Sequence, residues 1–267
     1  MGQSTVISST ANAHVKKIRS LATDRKERRR ERLFVLEGAR LVADALDSGA
    51  TFSLILYAPE QLQSTEAGEH LLTRLSSISS ALTATPQVIT AATETVHPQG
   101  IVALAHWPEV APEKPGIVLI LDRVQDPGNV GTLLRSAEAV GVAEVLCVRG
   151  TVDMYSPKVV RAAMGAHFHL ALEQDVTWDT LADRLMMVDH IYAADADATM
   201  PYYAADWRQP SALIIGNEAQ GLGEDARAYA TKLISIPMRG SAESLNAAVA
   251  GSIVLFEALR QRSLGRS

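Results

Sequence analysis

Short continuous apolar runs recur along this chain, bounded by turn residues, and between them lie segments whose apolar positions return every three or four residues. The first pattern predicts buried strands and the second amphipathic helices. In the first 106 residues the runs at 33–36, 52–57 and 100–105, with a further one near Val88 and Ile89, predict four strands. Helices are predicted over 12–31, from 37 onward through Leu41, Val42, Ala45 and Leu46, and around 68–77. Beyond residue 116 the predicted strands are 117–121, 144–148, 168–172, 190–194, 212–215 and 233–236, most of them separated by helical segments, and the last helix covers 245–262. Such alternation predicts an α/β domain with a mostly parallel sheet and helices on both faces. The segment 107–116 holds Pro108, Pro112 and Pro115 and has no apolar period, so it reads as a linker. The expected organisation is a small α/β domain over 1–106, a linker over 107–116 and a larger α/β domain over 117–267.

Composition narrows the class. Hydrophobic content of 47% and charged content of 21% are those of a soluble globular protein. No apolar run reaches the length of a membrane span. The first residues lack the charged start and apolar core of a signal peptide. The single Cys147, among Val145, Leu146 and Val148, predicts a buried structural thiol rather than a nucleophile. Together these features predict a cytoplasmic protein. The net charge of −5 argues against a nucleic-acid partner until it is located along the chain. Residues 12–40 hold ten Lys or Arg and four Asp or Glu, a net of +6, which leaves −11 for the rest. That asymmetry points to contact with nucleic acid or another anionic surface. The run from Arg25 to Arg32 taken alone reads equally well as a solvated helix face.

Three segments carry candidate chemistry. Asp126, Pro127, Gly128 and Asn129 follow the strand at 117–121 and open a helix that presents Arg135. Gly216, Asn217 and Glu218 follow the strand at 212–215. Ile236, Pro237 and Met238 lead through Arg239 to Glu243 into Ser244, Leu245 and Asn246 at the start of the last helix. In open α/β sheets, sites form at the carboxyl ends of strands. Each residue also has an ordinary reading. Asn129 and Ser244 suit helix N-caps, Glu218 a helix-entry acid, Arg135 a surface arginine, and Ile215, Ile236, Met238 and Leu245 plain core. Gly216 permits close backbone approach to a ligand. His167 and His169 alternate with Phe168 and Leu170 as on a strand, without the further ligands a metal requires. Asp195 and Asp197 read as a solvated loop. There is no GxGxxG, no P-loop and no GxSxG setting for a nucleophilic serine.

Taken together and in order, the three segments resemble the signature motifs of the SpoU-type (TrmH-like) RNA ribose 2′-O-methyltransferases of the SPOUT superfamily. Asn12 with Lys16, Lys17 and Arg19, then residues 34–38, then residues 97–103, are similar to the substrate-binding domain that precedes the catalytic domain in many of these enzymes, a domain resembling a ribosomal RNA-binding protein. The resemblance implies a deep C-terminal trefoil knot, a homodimer, and S-adenosylmethionine as methyl donor. It places the donor against Leu213, Ile215, Gly216, Asn217, Ile236, Met238, Leu245, Asn246 and Ala248, and catalysis at Asn129, Arg135, Glu218, Ser244 and Asn246. Arg135 suits an RNA phosphate through its fork of donors, and the resemblance adds acceptance of the 2′-hydroxyl proton. Glu218 is expected to hold Arg135 by a charge-assisted hydrogen bond. Lys16, Lys17, Arg19, Arg28, Arg29, Arg30 and Arg40 are expected to meet RNA, with ribosomal RNA favoured over transfer RNA and no metal required. Two alternatives stay open: a non-catalytic RNA-binding or ribosome-assembly factor on the same fold, and methylation of a base nitrogen.

Overall fold

The computed structural model describes residues 6–95, 97–113, 116–241 and 243–264, which cluster into two compact units. The first gathers the chain up to Pro108 together with Tyr155–Phe168. Its elements are α1 (Ala13–Thr23), α2 (Arg25–Glu31), β1 (Leu33–Glu37), α3 (Ala39–Asp47), β2 (Phe52–Tyr57), α4 (Pro59–Leu62), α5 (Glu66–Leu75), β3 (Ala81–Thr83), α6 (Pro86–Ala92) and β4 (Ile101–His106). The sheet order is β1-β4-β2-β3, with β4 antiparallel to β1 and β2, and β3 parallel to β2. Val15 and Ile18 of α1 and Val88 and Ile89 of α6 join Val35, Leu56 and Leu104 of the sheet in one core.

Three expectations change here. The helix predicted over 12–31 is two helices. Asp24 closes α1 through its backbone N–H on the Ser20 carbonyl, and its carboxylate accepts from the N–H groups of Lys26 and Glu27 to start α2. Val88 and Ile89 lie on α6, not on a strand, because Pro86 sits in the first turn, where a missing N–H costs nothing. The helix Pro157–Ala163, expected in the later domain, belongs to the first unit. It packs on β1 with Val159 and Val160 buried, and the rings of Tyr155 and Phe168 lie 5.2 and 5.8 Å from that of Phe34. Burial of this apolar surface is what assigns the segment. His167 stands in its final 3₁₀ turn, 1% exposed, with its ring against Phe34 and Tyr155.

The second unit holds β5 (Ile117–Leu121), α7 (Pro127–Val140) and β6 (Glu144–Val148), and, past the helix Pro157–Ala163 (α8), β7 (Leu172–Val176), α9 (Trp178–Leu185), β8 (His190–Ala194), β9 (Met200–Pro201), β10 (Ser211–Ile215), α10 (Glu224–Tyr229), β11 (Lys232–Ser235) and α11 (Ala247–Leu264). The seven strands run β7-β6-β5-β10-β8-β11-β9, every pair parallel. The strand expected at 168–172 begins at Leu172. It is an edge strand whose Glu173, Gln174 and Asp175 carry no apolar run. β10 lies between β5 and β8, with Ile215 level with Leu121, so the turns after both strands open side by side. α11 packs along α7 at Gly251, where a Cβ would stand 2.4 Å from Leu133 Cδ2, and the hydroxyls of Ser136 and Ser252 meet at 2.7 Å. Among the described residues, no helix is long and apolar enough to cross a membrane.

Candidate active site

The turn after β5 is organised by Asp126, whose carboxylate accepts from the Asn129 N–H at 2.8 Å. Asp126 is therefore the N-cap of α7, and the side chain of Asn129 is released for other work. Asn129 is 7% exposed. Its Nδ2 donates to Glu218 Oε1 at 2.9 Å, and its Oδ1 accepts from Asn246 Nδ2 at 2.8 Å. One side chain thus ties together the three loops that follow β5, β10 and β11.

Glu218 also accepts from the N–H groups of Gln125 and Asp126, both at 3.1 Å. Burial pushes its carboxyl pKa up. Hydrogen bonds from the Asn129 side chain and from the backbone of Glu218, Gln125 and Asp126 outweigh that and hold it below the ordinary carboxylate range. The expected bond to Arg135 is not made. Both Glu218 oxygens are engaged, and Arg135 stands nearly two turns further along α7, exposed, with no hydrogen bond or ion pair among the described residues.

Asn246 has a second duty. Its Oδ1 accepts from the N–H groups of Ala248 at 2.9 Å and Val249 at 3.2 Å, so Asn246, not Ser244, caps α11. Ser244 is exposed and lines a cavity of about 430 Å³. Ile215, Gly216, Asn217, Glu218, Ile236, Met238, Leu245 and Asn246 line it as well. Leu213 and Ala248 do not. Leu213 is fully buried in mid-β10, and Ala248 is 3% exposed on the packed face of α11. Gly216 is required by the protein itself. A Cβ there would stand 2.6 Å from the carbonyl of Gly221, across a tight pairing in which Asn217 and Gly221 exchange N–H···O bonds of 3.0 and 2.9 Å.

Sequence reading missed the wall formed by Ala194, Asp195, Ala196 and Asp197 after β8, and Arg227 of α10. The only available signal was the polar Asp-Ala-Asp following a strand. Asp195 is no solvated loop residue: its carboxylate is 8% exposed and pairs with Arg227 at 2.5 Å.

The basic residues of the first unit divide. Arg28 is 4% exposed and donates to the carbonyls of Leu21 and Ala22 at 2.5 and 3.0 Å, clamping α1 to α2 instead of facing a ligand. Arg19 donates to the Ala91 carbonyl at 2.6 Å. Lys17 pairs with Glu31, and Arg30 with Glu27 and Glu31. Lys16, Arg29 and Arg40 are exposed. Among the described residues no cluster of His, Cys, Asp and Glu could hold a metal ion.

Comparison with known proteins places this geometry. Residues 12–103 match an MRM3-like substrate binding domain. The 23S rRNA (guanosine(2553)-2′-O)-methyltransferase RlmP of Bacillus subtilis is 34% identical over 94% of this chain and 97% of its own length. The crystal structure of the SpoU methyltransferase AviRb from Streptomyces viridochromogenes with AdoMet is 28% identical, with a TM-score of 0.84 over 94% of this chain and 98% of its own. That of an AdoMet-bound rRNA methyltransferase from Sinorhizobium meliloti is 32% identical, with a TM-score of 0.83 over 97% and 98%. The model of the SpoU rRNA Methylase family matches residues 116–256, the whole span that carries the cavity and the Asn129 bridge, and the chain belongs to that family.

Proposed function

We propose that this protein transfers a methyl group from S-adenosylmethionine to a ribose 2′-hydroxyl of ribosomal RNA. The observation that carries the reading is the hydrogen-bonded chain Glu218–Asn129–Asn246 beside the 430 Å³ cavity, in a chain of the SpoU family. The cavity fits the donor: its size is that of small-molecule sites, and it sets apolar Ile215, Ile236, Met238 and Leu245 beside polar Asn217, Ser244 and Asn246. When bound, S-adenosylmethionine supplies an electrophilic methyl group. The chain's own residues do the positioning. Glu218 and Asn129 fix the loop after β10, Asn246 fixes the start of α11, and the rigid α7–α11 pair carries them.

Arg135 is the RNA-facing group of the site. Its guanidinium, exposed and without a partner among the described residues, can bind a phosphate through two parallel hydrogen bonds and so align the ribose; acceptance of the hydroxyl proton is the further role the family resemblance implies. Lys16, Arg29 and Arg40 supply exposed positive charge for the same RNA. Ribosomal RNA is favoured over transfer RNA because the first unit matches a substrate-binding domain of rRNA enzymes and RlmP acts on 23S rRNA.

The working form is a homodimer in the cytoplasm. Val249, Phe256 and Leu264 are 47, 50 and 66% exposed on one side of α11, with the exposed Arg260 among them, a mixed apolar and charged face suited to a second copy. A sedimentation mass equal to one chain would sink this. The chain from β10 through α11 is also the part that forms the trefoil knot. An experimental structure whose main chain pulls straight from both ends would exclude it.

The test is transfer of labelled methyl from S-adenosylmethionine to unmodified total RNA, fractionated into rRNA and tRNA, followed by nucleoside mass spectrometry, with Arg135→Ala alongside. A 2′-O-methyl nucleoside in rRNA, lost in the variant, supports the reading. A methylated base refutes it. RNA binding without any transfer would favour a non-catalytic assembly factor.

A further inference from the structure

The ion pair between Asp195 and Arg227 has no part in the chemistry described above, yet both residues line the cavity. Asp195 leaves the end of β8 and is fixed three ways. Its N–H donates to the Ile234 carbonyl of β11 at 2.9 Å, its Oδ1 accepts from the Asp197 N–H at 2.9 Å, and its Oδ2 receives Arg227. Arg227 projects from α10, which follows the turn 216–222. The pair therefore crosses from the loop after β8 to the helix after β10, beyond Ala193 and Ile214, the last residues at which those two neighbouring strands pair. Its burial is lopsided, 8% exposure for the Asp195 side chain and 49% for Arg227. A nearly buried carboxylate has few substitutes for its cationic partner, so loss of Arg227 leaves Asp195 drawn toward water and the loop with it.

We propose that Asp195 and Arg227 are positioning residues that set the width of the methyl-donor pocket and so determine donor affinity. The inference rests on the assignment of that pocket to S-adenosylmethionine. The pair touches neither Asn129 nor Asn246, and it governs how tightly the donor is held rather than how fast methyl is transferred once the pocket is full.

Calorimetric titration of S-adenosylmethionine into the full-length protein tests this, with steady-state kinetics beside it. Arg227→Ala and Asp195→Asn are expected to raise donor Kd and KM about tenfold, with kcat at saturating donor within about twofold of wild type. Arg227→Lys, which keeps the charge, recovers most of the affinity. Arg208→Ala, which breaks the exposed Arg208–Asp206 pair outside the cavity, leaves Kd unchanged. Arg227→Ala, a half-exposed side chain on a surface helix, keeps the test decisive should Asp195→Asn fail to fold. Donor binding by wild type with an unchanged Kd in Arg227→Ala overturns the inference alone, as does a fall in kcat at constant Kd. No donor binding by wild type overturns the pocket assignment and this inference with it.

Discussion

Asn246 reaches back across 117 positions of sequence to donate to the carboxamide oxygen of Asn129 at 2.8 Å, while the carboxamide nitrogen of Asn129 donates to Glu218 at 2.9 Å. A carboxamide is suited to that middle place. It donates and accepts at once, and neither charge nor titration disturbs it. An Asp there could not donate to Glu218, and a Ser could not reach in both directions.

Asn129→Ala should therefore do two things together. It strips Glu218 and Asn246 of partners, costing about 1–3 kcal/mol of stability, and it releases two loops, lowering methyl transfer by about a hundredfold. Asn129→Asp should be no rescue, because it sets a second carboxylate beside Glu218. Thermal unfolding and kcat on the same samples check both effects.

The pH dependence of stability follows from Glu218. Its folded pKa lies below the ordinary carboxylate value, so its hydrogen bonds stabilise the fold fully above about pH 4.3 and are lost as pH falls through the folded pKa. The unfolding midpoint of wild type should exceed that of Glu218→Gln by a constant amount from pH 6 to pH 8. The gap should close only in acid below about pH 4. A gap that closes near pH 7 would contradict the assigned direction.

Two basic residues predicted alike should separate on substitution. Arg28→Ala orphans the buried carbonyls of Leu21 and Ala22 and should destabilise the protein by about 1–3 kcal/mol. Lys16→Ala, on an exposed face of α1, should leave stability within about 0.5 kcal/mol and lower the slope of log K against log salt for RNA binding by about one. Chemical denaturation and RNA titration at several salt concentrations distinguish them.

Gly216→Ala places a methyl group 2.6 Å from the Gly221 carbonyl, where backbone rather than a side-chain tip must yield. The expected cost is about 1–3 kcal/mol, with weakened donor binding because the paired turn forms the cavity rim. Differential scanning calorimetry with and without S-adenosylmethionine reads both.

Much of this is legible in the sequence. β5 and β10 are buried on both faces, so their sequences are unbroken apolar runs, and the turns that follow them were placed correctly. β7 was misplaced because an edge strand needs no such run, and Val88 and Ile89 misled because a β-branched pair reads as strand until Pro86 is given its weight. At the site, Asn129, Glu218 and Asn246 were named, but their bonding was not. Linear spacing says which residues leave a strand end, not which donor faces which acceptor. Hence Glu218 was assigned to Arg135 when it serves Asn129, and Asn129 was given the capping role of Asp126. The polar Asp195 and Asp197 after a strand are visible in the sequence, but the pairing of Asp195 with Arg227 is not, since Arg227 comes from a separate helix.

The place of β10 bears on how the chain can be made. Strands β5, β6 and β7 are translated first and pair with one another; β8 follows but has no neighbour among them, because the only strand that joins β8 to β5 is β10. Until residues 211–215 leave the ribosome β8 stays unconnected to β5, β6 and β7, and the Asn129 bridge waits longer still, for Asn246. Closure of so late and so central a gap is a long-range event that should slow folding. It also means that a nascent or truncated chain ending before Asn246 cannot complete the Asn129 bridge, so the capacity to modify RNA waits for the last of the three loops to be made.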